Sequence, residues 1–335
     1  MVVKKVLLLS ICIIGSYFLN AQNKIKFEPI SSTTESILPK PEGLVYQGKY
    51  TSSTEVFEDN GTYYMIINDL VGGWPCEKIN VTLASSTDLE HWKWLERPLF
   101  SSEDLPFKLT KPNGFATSIV KDTNGTYLLY MDVLDNDKNI GIGLATSKSL
   151  SGPWHIHDEM ILKPNKDVWS TFSMAGADVI FYHGKYLMYY MGVPNAITNG
   201  ETSVCMAESN DGITWDCLKN PVLTKSDKND FDSHKVGVPK IIKDGNELLM
   251  LYRSDNGNGT WGGDSAYGMA KSKDGKTWDR IQKEPVLHEN DVDNWNTIWA
   301  CGLIKVGNTY HLFLEYDGPP VYDTRINHAT YKLND

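Results

Sequence analysis

Residues 172–193 read FSMAGADVIFYHGKYLMYYMGV and contain the pattern that organises the whole chain. An apolar strand with small residues, Met174 to Tyr182, precedes a two-residue turn at His183-Gly184. An aromatic strand, Tyr186 to Met191, follows the turn. Two apolar runs joined by a short glycine-containing turn are typical of a β-hairpin.

The same hairpin pattern recurs four more times along the chain. The other copies are STEVFEDNGTYYMIIND from Ser53, ATSIVKDTNGTYLLYMDV from Ala116, VGVPKIIKDGNELLMLYRSD from Val236 and WACGLIKVGNTYHLFLEYDG from Trp299. The residue near the start of each second strand recurs after 64, 59, 62 and 62 residues, in the series Tyr63, Tyr127, Tyr186, Leu248 and Tyr310. So regular a period indicates a structural repeat.

Each of the first four hairpins is followed by a second hairpin with its own signature. The four copies read LASSTDLEHWKWLERPLF, LATSKSLSGPWHIHDEMIL, MAESNDGITWDCLKNPVL and MAKSKDGKTWDRIQKEPVL. The tryptophan after each turn recurs at intervals of 62, 61 and 63 residues, as Trp92, Trp154, Trp215 and Trp278. We interpret the turns, including Asn210-Asp211-Gly212 and Lys273-Asp274-Gly275, as structural and the tryptophans as packing between repeats.

Two hairpins per repeat make a four-stranded blade, and radially arranged blades leave only short, protected edges. The sequence therefore predicts an all-β fold, a five-bladed β-propeller of four-stranded antiparallel blades. The last repeat ends with a single strand, RINHATYKL from Arg325. We expect residues 43–50, GLVYQGKY, to supply its missing fourth strand and so tie the two ends of the chain together.

The first 21 residues have the layout of a secretory signal peptide, with two lysines, an apolar run too short for a membrane span, and a small residue before Gln22. We expect a signal peptide over residues 1–21, an N-terminal extension over 22–42 and a propeller catalytic domain over 43–335. The mature protein is then soluble and secreted or periplasmic.

The amino-acid composition restricts the classes of molecule that the protein is expected to bind. The chain has 42 acidic and 32 basic residues, whereas nucleic acids and anionic membranes attract basic surfaces. Ten tryptophans suit a sugar-binding protein and equally suit core packing in a β-rich fold. We expect an oligosaccharide or polysaccharide substrate, no nucleic acid, no membrane after signal cleavage, and a monomer.

Four cysteines remain after the signal peptide, in a compartment where disulfides persist. Cys205 and Cys217 flank a turn, and Cys76 and Cys301 fall in the first and last repeats, which ring closure makes neighbours. The sequence decides neither pairing. No clustered Cys/His spacing suggests zinc, so we assign no metal ligands and no required cofactor, and leave a structural calcium in the channel open.

The repeated text resembles a known group of enzymes. The strand GADVIF, the turn and strand HGKYLMYY, and the later MAKSKDGKTW are similar to motifs of the five-bladed furanosidase superfamily, which includes the family 43 glycoside hydrolases. The similarity covers about residues 43–335. It implies a propeller that acts on carbohydrates.

The resemblance also implies where a catalytic site lies. Family 43 enzymes place a base Asp on the first inner strand, a pKa-modulating Asp on the third, and an acid Glu at the start of the fourth. Asp178, in GADVIF, takes the modulator's place. Ser53 stands where the base belongs, and Gly237, in VGVPKII, stands where the acid belongs.

Neighbouring residues offer replacements for the base and the acid. Glu55 lies two residues after Ser53, so strand alternation puts both side chains on one face. His234 precedes the fourth inner strand, and a His in place of the Glu resembles, more weakly, the family 117 hydrolases. We predict that Asp178, Glu55 and His234 are catalytic and line one cavity.

Chain direction supplies further candidates. Inner strands start from one face of a propeller and second strands return to it, so both ends share one mouth. At this mouth we expect the substrate-binding residues Lys235, Arg253, Lys111, Glu315, Trp74 and Trp299. The three cations among them suit an acidic sugar. His183 lies in a turn on the opposite face and is predicted to be structural.

Three functions fit these residues, in the following order. The first is a glycoside hydrolase on plant or algal oligosaccharides or polysaccharides, which needs a proton donor and a second group acting at the anomeric carbon or its water. The second is a lyase or dehydratase on an acidic sugar, which needs a base such as His or Lys and stabilisation of the developing charge. The third is a glycan-binding propeller without chemistry.

Overall fold

The computed structural model of the chain describes residues 24–29, 38, 50–72, 76–106, 108–109, 114–195, 201–227, 230–257, 264–291, 297–318 and 323–333. Within these ranges, helix is confined to two three-residue 3₁₀ segments, Ser102–Asp104 and Glu289–Asp291. No helix in the described ranges has the length and apolar character to cross a membrane.

Antiparallel strands divide the described chain into five consecutive units. Unit 1 contains β2 (Tyr50–Asp59), β3 (Thr62–Val71), β4 (Lys78–Ser86), β5 (Lys93–Trp94) and β6 (Phe100–Ser101). Unit 2 contains β7 (Phe115–Lys121), β8 (Tyr127–Leu134), β9 (Ile140–Ser147) and β10 (His155–Ile156). Unit 3 contains β11 (Ser173–Tyr182), β12 (Lys185–Val193), β13 (Ser203–Ser209) and β14 (Asp216–Cys217).

Unit 4 contains β15 (Lys235–Asp244), β16 (Glu247–Asp255), β17 (Ser265–Ser272), β18 (Asp279–Arg280) and β19 (Leu287–His288). Unit 5 contains β20 (Thr297–Val306), β21 (Thr309–Gly318) and β22 (Asp323–Lys332), with β1 (Glu28–Pro29) on its outer side. The predicted all-β propeller of antiparallel blades is confirmed. Each of the five hairpins read from the sequence forms the first two strands of one unit.

The outer strand of unit 5 differs from the prediction. β1 pairs antiparallel with β22, Glu28 opposite Thr330 and Pro29 opposite Ala329. The expectation that residues 43–50 supply this strand is wrong, because the outer edge of β22 pairs with β1, which lies earlier in the chain. Tyr50 instead begins β2, and residues 43–49 lie outside the described part of the chain.

A buried side chain explains why the upstream segment joins the propeller. Phe27 is 1% exposed and packs into the core of units 4 and 5. Its backbone amide donates to the carbonyl of Val286 at 2.8 Å. Lys24 and Lys26, on either side of Ile25, form ion pairs with Glu284 and Asp291. This alternation of charged and apolar residues holds a segment that composition alone marks as a polar extension.

Aromatic side chains pack the units against one another, as the repeated tryptophans predicted. Each tryptophan meets, in a T-shaped contact, an aromatic ring of the preceding unit around the ring. The pairs are Trp92 with Phe313, Trp154 with Phe100, Trp215 with Tyr130 and Trp278 with Tyr189, at centroid distances of 5.4, 6.4, 6.0 and 5.5 Å. The first pair joins unit 1 to unit 5 and so closes the ring.

Every inner strand carries an irregularity at the same place. The register shifts between Ser53 and Glu55, Ala116 and Ser118, Ala175 and Asp178, Gly237 and Lys240, and Ile298 and Cys301. Bulges of this kind redirect side chains. In unit 4, Val238 has a φ of 47°, a conformation that a β-branched residue adopts only under constraint.

The four described cysteines are free thiols, so neither of the pairings left open by the sequence is formed. Tyr190 donates to the sulfur of Cys217 at 3.7 Å. Burial raises the pKa of Cys205 and the pKa of Cys301 to about 12. These two thiols are therefore protonated and unreactive at neutral pH.

Candidate active site

Three charged side chains from three inner strands meet at the centre of the propeller. Lys240 Nζ donates to Glu55 Oε2 at 2.8 Å and to Asp178 Oδ1 at 3.1 Å. The same ammonium donates to the carbonyl of Thr117 at 2.7 Å. The backbone amide of Ile241 donates to Asp178 Oδ2 at 2.6 Å. We call Glu55, Asp178 and Lys240 the axial cluster.

The members of the axial cluster occupy equivalent places in their hairpins. Each lies directly after the bulge of its inner strand. Each also lies three residues before the penultimate paired residue of that strand. Each also faces an apolar or aromatic residue of the second strand, in the pairs Glu55 with Ile66, Asp178 with Tyr189 and Lys240 with Leu251. Three units therefore direct one charged group each toward the axis.

Sequence reasoning missed Lys240, although a signal for it exists. Counting back from the hairpin turn puts Lys240 in line with Glu55 and Asp178, and with Ser118 of unit 2. The Ser118 hydroxyl accepts from the amide of Val179 at 3.1 Å. The interpretation of VGVPKII searched for an acid near Gly237 and overlooked the cation three residues later.

Burial and the neighbouring charges shift the pKa values of Glu55 and Lys240 in the axial cluster. Burial raises the pKa of Glu55 well above the usual carboxyl range, and the Asp178 carboxylate adds to this rise while Lys240 opposes it. Burial also opposes the charge on Lys240, but Asp178 and Glu55 outweigh it and hold the pKa of this ammonium above its ordinary value. Burial therefore favours the protonated form of Glu55, and the two carboxyls favour the charged form of Lys240.

Exposure distinguishes the members of the axial cluster. The side chain of Glu55 is 16% exposed, whereas those of Asp178 and Lys240 are 5% and 4% exposed. Glu55 is thus the member best placed to reach a molecule entering the channel. A protonated carboxyl in this position can act as a general acid.

His234 belongs to a second group, at the starting end of β15. Its Nδ1 lies 2.9 Å from Asp255 Oδ1, and its backbone amide donates to the Asp255 carbonyl. Lys235 Nζ lies 3.4 Å from the other Asp255 oxygen. Asp255 is 3% exposed, and Gly257 packs against the imidazole. The prediction grouped His234 with Glu55 and Asp178, but its hydrogen bonds join it to Asp255, which sequence reasoning did not select.

Arg253 lies on the same strand as Asp255 and faces unit 5. Its Nε donates to the carbonyl of Ile298 at 2.6 Å, and its guanidinium lies 5.0 Å from the ring centroid of Trp299. Burial lowers the pKa of Arg253, while the nearby Tyr267, Asp255, Glu289 and Glu315 oppose that change. The predicted residues Arg253, Trp299 and Glu315 therefore share one neighbourhood.

Two predicted substrate-binding residues, Lys111 and Trp74, lie outside the described residues. In the described part of the chain, no group of three or more His, Cys, Asp or Glu side chains is arranged to hold a metal ion. His183 lies in the turn between β11 and β12, as expected, with a φ of 50°.

Two family models match adjacent parts of the chain. The model of glycosyl hydrolases family 43 matches residues 45–170, and that of the glycosyl hydrolases family 32 N-terminal domain matches residues 177–298. No curated protein matches the sequence.

Solved structures of carbohydrate-active enzymes share the fold. A thermostable family-43 glycoside hydrolase aligns with a TM-score of 0.67 at 18% identity, covering 86% of this chain and 91% of its own. A glycosyl hydrolase from Bacteroides ovatus aligns with a TM-score of 0.62 at 18% identity, over 86% and 85%. The β-1,2-mannobiose phosphorylase of Listeria innocua, in complex with β-1,2-mannobiose, aligns with a TM-score of 0.59 at 17% identity, over 88% and 92%.

These similarities identify the architecture. The chain is a glycoside hydrolase-like β-propeller, and the resemblance to the five-bladed superfamily that includes family 43 is confirmed. At such identities the structural likeness concerns the fold, so the chemistry has to be argued from the residues of this chain.

Proposed function

We propose that the protein is a glycoside hydrolase in which Glu55 is the proton donor. The observation that carries this proposal is the partly exposed Glu55 carboxyl beside Asp178 at the propeller axis, with its pKa raised by burial and by that carboxylate. Glycoside cleavage needs an acid that is still protonated near neutral pH to protonate the leaving oxygen.

Asp178 and Lys240 support this acid in different ways. The negative charge of Asp178 keeps the proton on Glu55 before reaction, which is the modulating role that the family 43 resemblance implies for Asp178. When the proton passes to the glycosidic oxygen, Glu55 becomes a carboxylate. Its Oε2 then keeps a charge-assisted hydrogen bond from Lys240, 2.8 Å away in the structure.

The substrate is proposed to be a plant or algal oligosaccharide or polysaccharide, including acidic ones. The cationic side chains Lys235 and Arg253, with His234, lie near the ends of β15 and β16 where a substrate carboxylate could bind. We also propose that the protein is exported, secreted or periplasmic, and acts as a monomer without a required cofactor. The signal-like residues 1–21 support the export.

The test is product analysis with a panel of plant and algal oligosaccharides, with and without inorganic phosphate. Hydrolysis adds the mass of water to the products, whereas phosphorolysis, the activity named for one structural neighbour, adds phosphate. Glu55→Gln should abolish cleavage. Glu58→Gln, on the same strand beside the hairpin turn, is the matched control and should cleave like wild type. Full cleavage by Glu55→Gln would remove Glu55 from the mechanism.

A second candidate function is elimination from an acidic sugar, favoured by the His234–Asp255 pair. The 2.9 Å contact between Nδ1 and Asp255 Oδ1 orients the imidazole and leaves Nε2 to take a proton. Arg253 would stabilise the charge that develops on the substrate carboxylate. A glycan-binding propeller without chemistry is the third alternative.

Mass analysis separates these alternatives as well. Elimination forms an unsaturated product that absorbs ultraviolet light and lacks added water. His234→Ala should abolish the formation of this product. The exposed His155→Ala serves as the matched control. Binding of oligosaccharides with no change in their mass would exclude both reactions and favour the glycan-binding propeller.

A further inference from the structure

Asp132 holds the backbone of the neighbouring unit at the bulge that precedes Asp178. Both oxygens of Asp132 accept from the amide of Gly176, at 2.8 and 3.0 Å. Gly176 has a φ of 61° and lies where the register of β11 shifts, between Ala175 and Asp178. The amide of Gly176 thus bonds to a side chain of β8 instead of a neighbouring strand.

The same contact recurs in the preceding unit with a neutral side chain. Asn68 and Asp132 each lie five residues after Tyr63 and Tyr127, the repeat positions of their units. Asn68 Oδ1 accepts from the amide of Ala116 at 2.9 Å, and its Nδ2 donates to the Ala116 carbonyl at 3.0 Å. Ala116 precedes the bulge of β7, as Gly176 lies in the bulge of β11. This place in the repeat is therefore used to fix the inner strand of the next unit.

The charged version of the contact occurs next to the axial cluster. Asp178 is two residues beyond Gly176, and its oxygens bind Lys240 and the amide of Ile241. A shift of the bulge would move the Asp178 carboxylate relative to both partners. We propose that Asp132 is a positioning residue, which fixes the β11 bulge and thereby the place at which Asp178 meets Lys240 and acts on Glu55. The link to Glu55 rests on the proposed function.

The surroundings of Asp132 make this contact dependent on pH. On the neighbouring strands the directly paired residues are Phe115 and Ile142, which carry no charge. The amide of Gly176 approaches from β11, and the charge that reaches Asp132 from β15 is that of Lys240. Burial raises the pKa of Asp132 to about 7, although the Gly176 amide and Lys240 oppose the rise. Protonation near neutral pH removes the charge-assisted bond to Gly176.

The test uses the amide resonance of Gly176 in the full mature chain, and it needs no substrate. Ala175-Gly176 is the only Ala-Gly peptide bond in the sequence, so labelling with ¹³C-carbonyl alanine and ¹⁵N-glycine selects one signal. In the wild type this signal should titrate with a midpoint of about 7. In Asp132→Asn it should stay constant over pH 5.5 to 8.5, since the amide oxygen remains an acceptor but does not titrate. Asn68→Asp, at the equivalent place, is the control and should leave the Gly176 midpoint unchanged.

A second label reports on Asp178. Carbonyl-labelled lysine with ¹⁵N-isoleucine selects Ile25, Ile79 and Ile241, the three isoleucines that follow lysine. The Ile241 signal should move in Asp132→Ala and stay near its wild-type position in Asp132→Asn, while Ile25 and Ile79 stay fixed in both. A Gly176 signal that does not titrate in the wild type, or still titrates in Asp132→Asn, overturns the proposal. An Ile241 signal that does not move in Asp132→Ala also overturns the proposal. An absence of glycosidase activity contradicts only the proposed function, because none of these signals depends on turnover.

Discussion

Glu55 on the first inner strand and Asp178 on the third bind the same ammonium group, that of Lys240, at 2.8 and 3.1 Å. Two buried carboxyls so close together cannot both carry a charge without a cation between them. Lys240 is that cation, and burial together with Asp178 raises the pKa of Glu55. The same contacts that close the axis of the propeller thus prepare an acid.

Removing the cation should destabilise the protein. Lys240→Met leaves Asp178 buried without its counter-ion, a change that costs about 3 to 5 kcal/mol in comparable buried ion pairs. Urea unfolding followed by tryptophan fluorescence measures the loss. Lys243→Met, at an exposed position on the same strand, is the control and should lie within about 0.5 kcal/mol of wild type. Equal stability of the two variants would mean that Lys240 does not neutralise the axis.

The Glu55 proton should be visible in the pH dependence of stability. The pKa of Glu55 is raised in the folded state, so folding favours the protonated form, and this contribution is complete below the unfolded value of 4.5. The contribution of Glu55 to stability should then fall as the pH rises from 4.5 toward the folded pKa. Glu55→Gln, which stays neutral, should lack that loss. Denaturant midpoints between pH 4.5 and 8.5 for both proteins check the sign, and parallel curves would contradict it.

The repeats in the sequence determine the fold because strand pairing is local to each unit and each repeated tryptophan packs against the unit next to its own. The tryptophan series and the hairpin turns therefore predicted the units and their contacts. The outer strand of unit 5 was mispredicted because Glu28–Pro29 pairs with a strand about 300 residues away, and its choice depends on the burial of Phe27. Only ring closure brings these segments together.

The site was predictable to the extent that strand alternation determines direction. Glu55 and Asp178 were selected because they lie on inner strands, and they do converge on the axis. His234 lies before β15 begins, so alternation gave no information about its partner, Asp255. Lys240 was missed because family resemblance directed attention to carboxyls, although a cation is what two converging carboxyls require.

The contact that closes the ring should contribute strongly to stability. Trp92 of unit 1 packs edge-on against Phe313 of unit 5, at a centroid distance of 5.4 Å. Trp92→Ala removes this contact, and the loss should be about 3 kcal/mol, typical for truncation of a packed aromatic side chain. Phe181→Ala, at a side chain that is 46% exposed, is the control. Thermal unfolding should show a clear drop only for Trp92→Ala, and comparable drops would argue against a special role for ring closure.

A pair of histidines in unit 5 should make the protein sensitive to acid. His311 Nδ1 lies 3.0 Å from His328 Nε2, and His328 stacks on Phe313. Burial, with a smaller effect of His311, lowers the pKa of His328 to about 3. The folded state therefore disfavours protonation, and stability is lost as the pH falls below the unfolded value of about 6.5.

The size of this acid effect follows from linkage. The contribution of His328 at pH 4.5, relative to pH 7.5, should be a loss of about 2 to 3 kcal/mol, opposite in sign to the contribution of Glu55, since each pH unit below the unfolded pKa contributes about 1.4 kcal/mol. His328→Gln should flatten this part of the stability curve, whereas His155→Gln, at an exposed position, should keep it. Denaturant unfolding at the two pH values provides the measurement. The same pH dependence in wild type and in His328→Gln would show that the pair tolerates a proton.

The modulating role of Asp178 predicts a displaced pH profile of the enzyme. A general acid works only while protonated, so turnover should decline as the pH rises through the pKa of Glu55. Asp178→Asn removes the neighbouring negative charge that helps to raise this pKa. The alkaline limb should therefore move to lower pH, and turnover at neutral pH should fall by about a hundredfold, at the lower end of what general acid catalysis contributes. Asp216→Asn, at an exposed position of β14, is the control. The measurement is the cleavage rate of an oligosaccharide substrate across pH 4 to 9. Thermal midpoints recorded alongside separate a displaced profile from lost folding. An alkaline limb that stays in place would assign the raised pKa of Glu55 to burial alone.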